Sequence, residues 1–285
     1  TKVIKSNSNA SEITESNSLT AFDSNGFTVG DNASNAQTNQ SGFNYVAWSW
    51  NGGTSTESNT DGTITTSVRA NTSAGFSIIS YEGNGTTGAT IGHGLGATPE
   101  FLIFKNRDDV LVWYVYHVEN GATKVQYLNS DIAATTNDFL NNTAPTSSVI
   151  TLKNTAEVNA NTQNIICYAW TSVSGYSDFG SFVGTGSSST APFVFTGFRP
   201  ALIIFKAAST TSPWNIFDTA RDPYNVVETG LLADSANAEF TGTDRCDILS
   251  NGFRVRAGSA VPNVSGTTYV YMAWAENPFK TARAR

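Results

Sequence analysis

The chain has 285 residues, 39% of them hydrophobic and 12% aromatic but only 14% charged, against about 25% charged in ordinary globular chains. Sixteen Lys and Arg against 23 Asp and Glu leave a net charge of −7, which excludes a clustered basic groove for nucleic acid. No apolar run approaches bilayer-spanning length, and two cysteines are too few for a disulfide framework or a four-thiolate zinc site.

Straight-chain helix formers are scarce while Asn, Ser, Thr and aromatics abound, so an all-β fold is expected. Thr1 to Thr20 is polar, without the basic-then-apolar layout of a secretory signal. The first turn signal is Asn25-Gly26, two residues that accept positive φ at little cost. The alternating run Phe27-Thr-Val29 follows, and an apolar strand ends in Tyr45-Val-Ala-Trp48. The same ending returns as Cys167-Tyr-Ala-Trp170 and Tyr271-Met-Ala-Trp274, and Ser24-Asn-Gly-Phe27 returns as Ser250-Asn-Gly-Phe253. A second pattern recurs at a constant spacing of 101 residues: Pro99 to Lys105 matches Pro200 to Lys206, and Trp113 matches Trp214.

The chain therefore reads as a trailing half-unit over 1–50, a connector over 51–74, a β-sandwich unit over 75–174 and a second over 175–285 with a basic tail. The half-unit start is compatible with a longer parent chain, or with completion of a neighbouring module or subunit. Phe101-Leu-Ile-Phe-Lys105 and Ala201-Leu-Ile-Ile-Phe-Lys206 read as strands covered on both faces. Only Asp131–Leu140 and Ala233–Phe240 have local helical character.

No catalytic, metal or cofactor-binding residue is expected. Gly83-Asn-Gly-Thr-Thr-Gly88 fits a dinucleotide pattern, but no helix-forming sequence follows it to hold a pyrophosphate, so a turn is expected. His93 and His117 lack converging ligands; His117 aligns with Asp218 as a recurring polar strand end, and Asp108 and Asp109 read as a solvated turn. Cys167 and Cys246 read as free thiols, and Arg221-Asp-Pro-Tyr-Asn225 as a turn with a buried tyrosine. No Asp or Glu recurs as one of a glycosidase pair. Trp48, Trp113, Trp170, Trp214 and Trp274 recur in apolar strands, as core anchors filling the interior of each module would. Trp50 breaks the repeat and is the candidate exposed aromatic for a glycan or partner. Lys280, Arg283 and Arg285 form a basic tail, either solvated or a contact for an acidic neighbouring subunit.

Several motifs together resemble a family of bacteriophage virion proteins of uncharacterised role, common in marine phages and described as tail-fibre-like or virion structural. They are Gly75-Phe-Ser-Ile-Ile-Ser-Tyr81, Ile91-Gly-His-Gly-Leu-Gly-Ala-Thr-Pro99, Val115-Tyr-His117, Asn141 to Ser147, Gly175-Tyr-Ser177, Phe195-Thr-Gly-Phe-Arg-Pro200 and Ala275 to Arg285. The resemblance runs from about Leu19 to the end. It implies a place on the virion surface and supplies no site residues. The expected function is a non-enzymatic fibre or spike protein presenting a host-contacting surface. Its partners would be further copies of itself (a trimer, by analogy with fibres), other virion proteins and a host surface glycan, without membrane insertion. The alternatives are a capsid decoration or head-fibre protein, and a carbohydrate-active depolymerase.

Overall fold

The structure, a computed structural model, describes residues 1–30, 38–242, 245–256 and 262–276. Two short hairpins come first: β1 (Lys2–Val3) with β2 (Ile13–Thr14), then β3 (Leu19–Asp23) with β4 (Gly26–Val29) across a Ser24-Asn25 turn, one residue earlier than the expected Asn25-Gly26, with Gly26 already paired opposite Asp23. β5 (Glu57–Asn59) and β6 (Thr66–Asn71) follow. The first full unit supplies β7 (Phe76–Glu82), β8 (Ala89–Gly92), β9 (Phe101–Asn106), β10 (Tyr114–His117), β11 (Lys124–Tyr127), β12 (Thr135–Thr136), β13 (Val149–Leu152) and β14 (Asn164–Trp170). The second supplies β15 (Ser177–Val183), β16 (Phe193–Phe195), β17 (Pro200–Ala207), β18 (Asn215–Asp218), β19 (Leu231–Leu232), β20 (Cys246–Leu249), β21 (Gly252–Val255) and β22 (Thr268–Ala275). Among the described residues, helix is confined to one turn of α-helix, Ala156–Asn159, and a 3-10 turn at Val118–Asn120.

Each unit is a two-layer sandwich, so the fold is all-β as the composition requires. The first has a large sheet in the order β12-β11-β10-β9-β14-β7-β6-β5 over the pair β13-β8; the second has β15-β22-β17-β18-β19 over β16-β21-β20. The closing strand lies between two strands from the start of its unit: β14 between β7 and β9, β22 between β15 and β17. The two halves of a unit thus interlock, and neither buries its apolar face without the other.

Strand alternation explains the recurring apolar runs. In β9, Leu102 and Phe104 face the unit's own core, while Phe101 and Ile103 face the other unit; in β17, Ile203 and Phe205 point inward, and Leu202 and Ile204 outward. Each sandwich has a separate core, one built around Ile79, Phe104, Phe139 and Cys167, the other around Phe205, Phe217, Phe253 and Tyr269. A third apolar cluster joins the outer faces of the two large sheets.

Three expectations need correction. The segment 51–74 is no simple connector, since β5 and β6 extend the first large sheet by pairing with one another and with β7. Neither 131–140 nor 233–240 is helical. Their backbone groups bond outward instead: Ala134 N–H donates to Ala208 O and Asn137 N–H to Thr123 O, so tertiary docking overrides a weak local propensity. Tyr224, expected to be buried in its turn, is exposed.

Candidate functional site: an aromatic seam

The recurring tryptophans do not fill the sandwich interiors. Trp170 and Trp274 end their closing strands on the outward face, and Trp113 and Trp214 stand just before β10 and β18. All six tryptophans line one apolar cavity of about 320 Å³ between the sheets, together with side chains such as Phe76, Phe101 and Met272. Trp170 and Trp274 meet edge to face at 6.2 Å. Trp50, expected to stand exposed, is half-buried and packs edge-on against Trp274 at 5.2 Å and Trp170 at 5.9 Å. Its neighbour in the repeat, Trp48, is also half-buried.

Five of the six indole N–H groups divide into two kinds. Trp214 donates to Tyr127 O at 2.8 Å, and Trp113 to Lys5 O and Ser8 O at 3.2 and 3.0 Å. Those of Trp48, Trp170 and Trp274 are buried with no acceptor, a state that costs roughly 1–3 kcal/mol per group.

Two lysines stand near the ends of the matching Pro-led strands, Lys105 in β9 and Lys206 in β17. Both Lys105 and Lys206 are fully buried. Lys105 Nζ donates to Asn9 O and Asp109 O at 3.2 Å and to Leu111 O at 2.8 Å, while Lys206 Nζ donates to Asp131 O and Ile132 O at 2.8 Å. Burial lowers both amines, Lys206 to about 8, with the nearby Asp234 and Asp131 opposing the fall. The signal was present in the repeat as a lysine kept at the same place in both Pro-led strands.

The junction between the half-unit and the first unit therefore recurs between the first and second units. Trp113 and Lys105 grip Lys5 and Asn9 as Trp214 and Lys206 grip Tyr127 and Asp131. Glu12 N–H donates to Arg107 O as Ala134 N–H donates to Ala208 O. The half-unit also touches the second unit directly, through Ser6 Oγ–H on Ala233 O at 2.8 Å.

The remaining candidates have structural partners. His117 is buried, with Nδ1 accepting from Glu119 N–H, which leaves the proton on Nε2 to donate to Tyr271 O of the second unit at 3.1 Å. Burial pulls it down to about 4. Its repeat counterpart Asp218 caps the following turn in the same way, accepting from Ala220 N–H, and pairs with Arg221 at 2.7 Å. His93 is buried between Leu95 N–H and Thr146 O and is likewise lowered by burial. Asp108 accepts from Asn164 N–H and Nδ2, tying its turn to β14.

The glycine-rich loop is a turn clamped from within. Asn159 Oδ1 accepts from Asn84 N–H while its Nδ2 donates to Thr86 O; Asn263 does the same for Thr185 N–H and Ser187 O in the second unit. Cys167 and Cys246 are buried free thiols, both raised by burial. Lys280, Arg283 and Arg285 lie outside the described residues. Among the described residues, no three His, Cys, Asp or Glu side chains converge as a metal site would require.

Fold and site together define a class: an all-β protein of interlocked sandwich modules docked through a shared aromatic seam. The chain belongs to the family described as Domain of unknown function (DUF7483), whose model matches residues 1–278. No curated protein and no solved structure matches it.

Proposed function

We propose that the protein is a non-enzymatic structural component of a bacteriophage particle, of fibre or spike type, that presents a host-contacting surface and assembles with copies of itself. The observation that carries this reading is the repeated junction. The buried lysines and the indoles of Trp113 and Trp214 are committed to backbone carbonyls of the adjoining module, and His117 to one across the seam. Groups elsewhere used for acid–base chemistry here hold modules in place.

Packing and neutral hydrogen-bonding groups at the surface also suit a particle exposed to changing salt, since such contacts are little screened. Linked repeats multiply weak contacts to a surface such as a glycan coat. The test is immunogold labelling of intact particles from the phage that encodes the chain. Label on tail fibres or spikes is expected. Label confined to the capsid lattice would turn the reading to a decoration protein, and particles free of label would refute both. Release of fragments from host polysaccharide by the purified protein would refute the non-enzymatic assignment.

A further inference from the structure

The two hairpins of residues 1–30 match the second half of a module in register as well as in sequence. Thr1-Lys2-Val3 returns as Thr123-Lys124-Val125, and the register of β1 with β2 (Lys2 opposite Thr14) is that of β11 with β12 (Lys124 opposite Thr136). Likewise Phe22 stands opposite Phe27 in β3–β4 as Ile248 stands opposite Phe253 in β20–β21. The neighbouring strands differ. β11 lies beside β10, β21 beside β16, and β14 between β7 and β9. β1 and β4 have no such neighbours among the described residues, and 43–50 forms no strand.

The side chains record the same deficit. Phe22, Phe27, Phe43 and Tyr45 are 82%, 43%, 62% and 50% exposed, whereas their counterparts Ile248, Phe253, Tyr269 and Tyr271 are 1%, 0%, 0% and 5%. A methyl group on Gly252 would lie 2.0 Å from Val194 O of β16, while one on the matching Gly26 would meet nothing within 4 Å. The far end of the second unit is also unfilled. Leu232 and Ala236 occupy the places of Tyr127 and Asp131, as the shared turn bonds of Ser235 N–H on Leu232 O and Ser130 N–H on Tyr127 O establish. Among the described residues, no indole or ammonium group reaches either carbonyl.

We propose that these surfaces form one docking site for a leading half-module: a polypeptide segment with the sequence pattern of residues 75–122 that brings no trailing half of its own. It adds four strands, equivalent to β7–β10. Two of them flank 43–50, one pairs with β4 and one with β1, a form of strand addition in which backbone bonds give affinity and alternate side chains give specificity. Its counterpart of Trp113 donates to Leu232 O and its counterpart of Lys105 to Ala236 O. Its outward aromatics enter the 320 Å³ cavity. Three equivalent junctions then close around the seam. A second copy of this chain is a poor donor, because β7–β10 and β15–β18 are already engaged with β14 and β22 and their neighbours.

The test joins a copy of residues 75–122 directly to Thr1 of the full chain, as Ala122 is joined to Thr123. The added segment should resist protease, raise the melting midpoint and abolish binding of the dye ANS to the exposed aromatics. Gly26→Ala, neutral in the 285-residue chain, should become destabilising in the extended one. An extension that aggregates or is trimmed away while ANS binding persists would overturn the proposal, as would a Gly26→Ala variant that stays neutral. Light scattering showing that the 285-residue chain dimerises, with its dimer binding no ANS, would assign the face to a second copy and also overturn it.

Discussion

Replacing Trp214 and Trp274 separately with Phe tests how the seam is held. Both rings are buried, so each change removes a similar apolar area, worth about 1 kcal/mol at 25 cal/mol per Å². The polar contributions then diverge. Trp214→Phe also breaks the 2.8 Å bond to Tyr127 O, adding about 1 kcal/mol. Trp274→Phe deletes a buried N–H that has no acceptor, which returns roughly 1–3 kcal/mol. The expected outcome is a loss of about 2 kcal/mol for Trp214→Phe and little or no loss for Trp274→Phe. For a chain of this size the difference corresponds to a gap of roughly 4–8 °C between the two melting midpoints. Scanning calorimetry of the two variants reads it directly. Equal destabilisation by both would refute the division of the indoles into bonded and orphaned donors, and a larger loss for Trp274→Phe would reverse it.

Acid should weaken the fold through His117, whose value falls from 6.5 to about 4 because burial disfavours the charged ring. A base held neutral in the folded state contributes fully above its unfolded value. That contribution is lost as pH falls from about 6.5 to 4, with a full difference of about 3 kcal/mol. His93 acts in the same direction, while the raised Asp178 carboxyl, bonded to Tyr271 OH, acts oppositely as pH falls. Urea titrations across this range should show a shallower acid loss in His117→Gln; an unchanged slope would remove His117 from the account. Gly252→Ala should destabilise by about 1–3 kcal/mol or more through overpacking against Val194 O, with Gly26→Ala near neutral in the same chain. Equal melting midpoints for these two glycine variants would contradict the difference in their surroundings.

The sequence by itself determined the fold class, the repeat and the turns, because these depend on local chemistry. Asn25-Gly26 marked its turn to within one residue, and a Pro-led apolar run reads as a strand from its own residues. The repeat also marked the tryptophans and the two lysines as recurring. Which side of the sheet they served was decided only by packing. A strand covered on both faces has two apolar sides in sequence, and nothing local distinguishes the module's core from the seam. Sheet order likewise came from the tertiary structure: β14 enters between β7 and β9 through contacts scores of residues apart, invisible to a window of neighbouring residues. The same long-range contacts turned 131–140 from a weak helix into a docking loop and drew Trp50 against Trp170 and Trp274. Local torsional preference writes turns and strands into short stretches of chain, but the burial of a ring depends on which distant surface arrives to cover it.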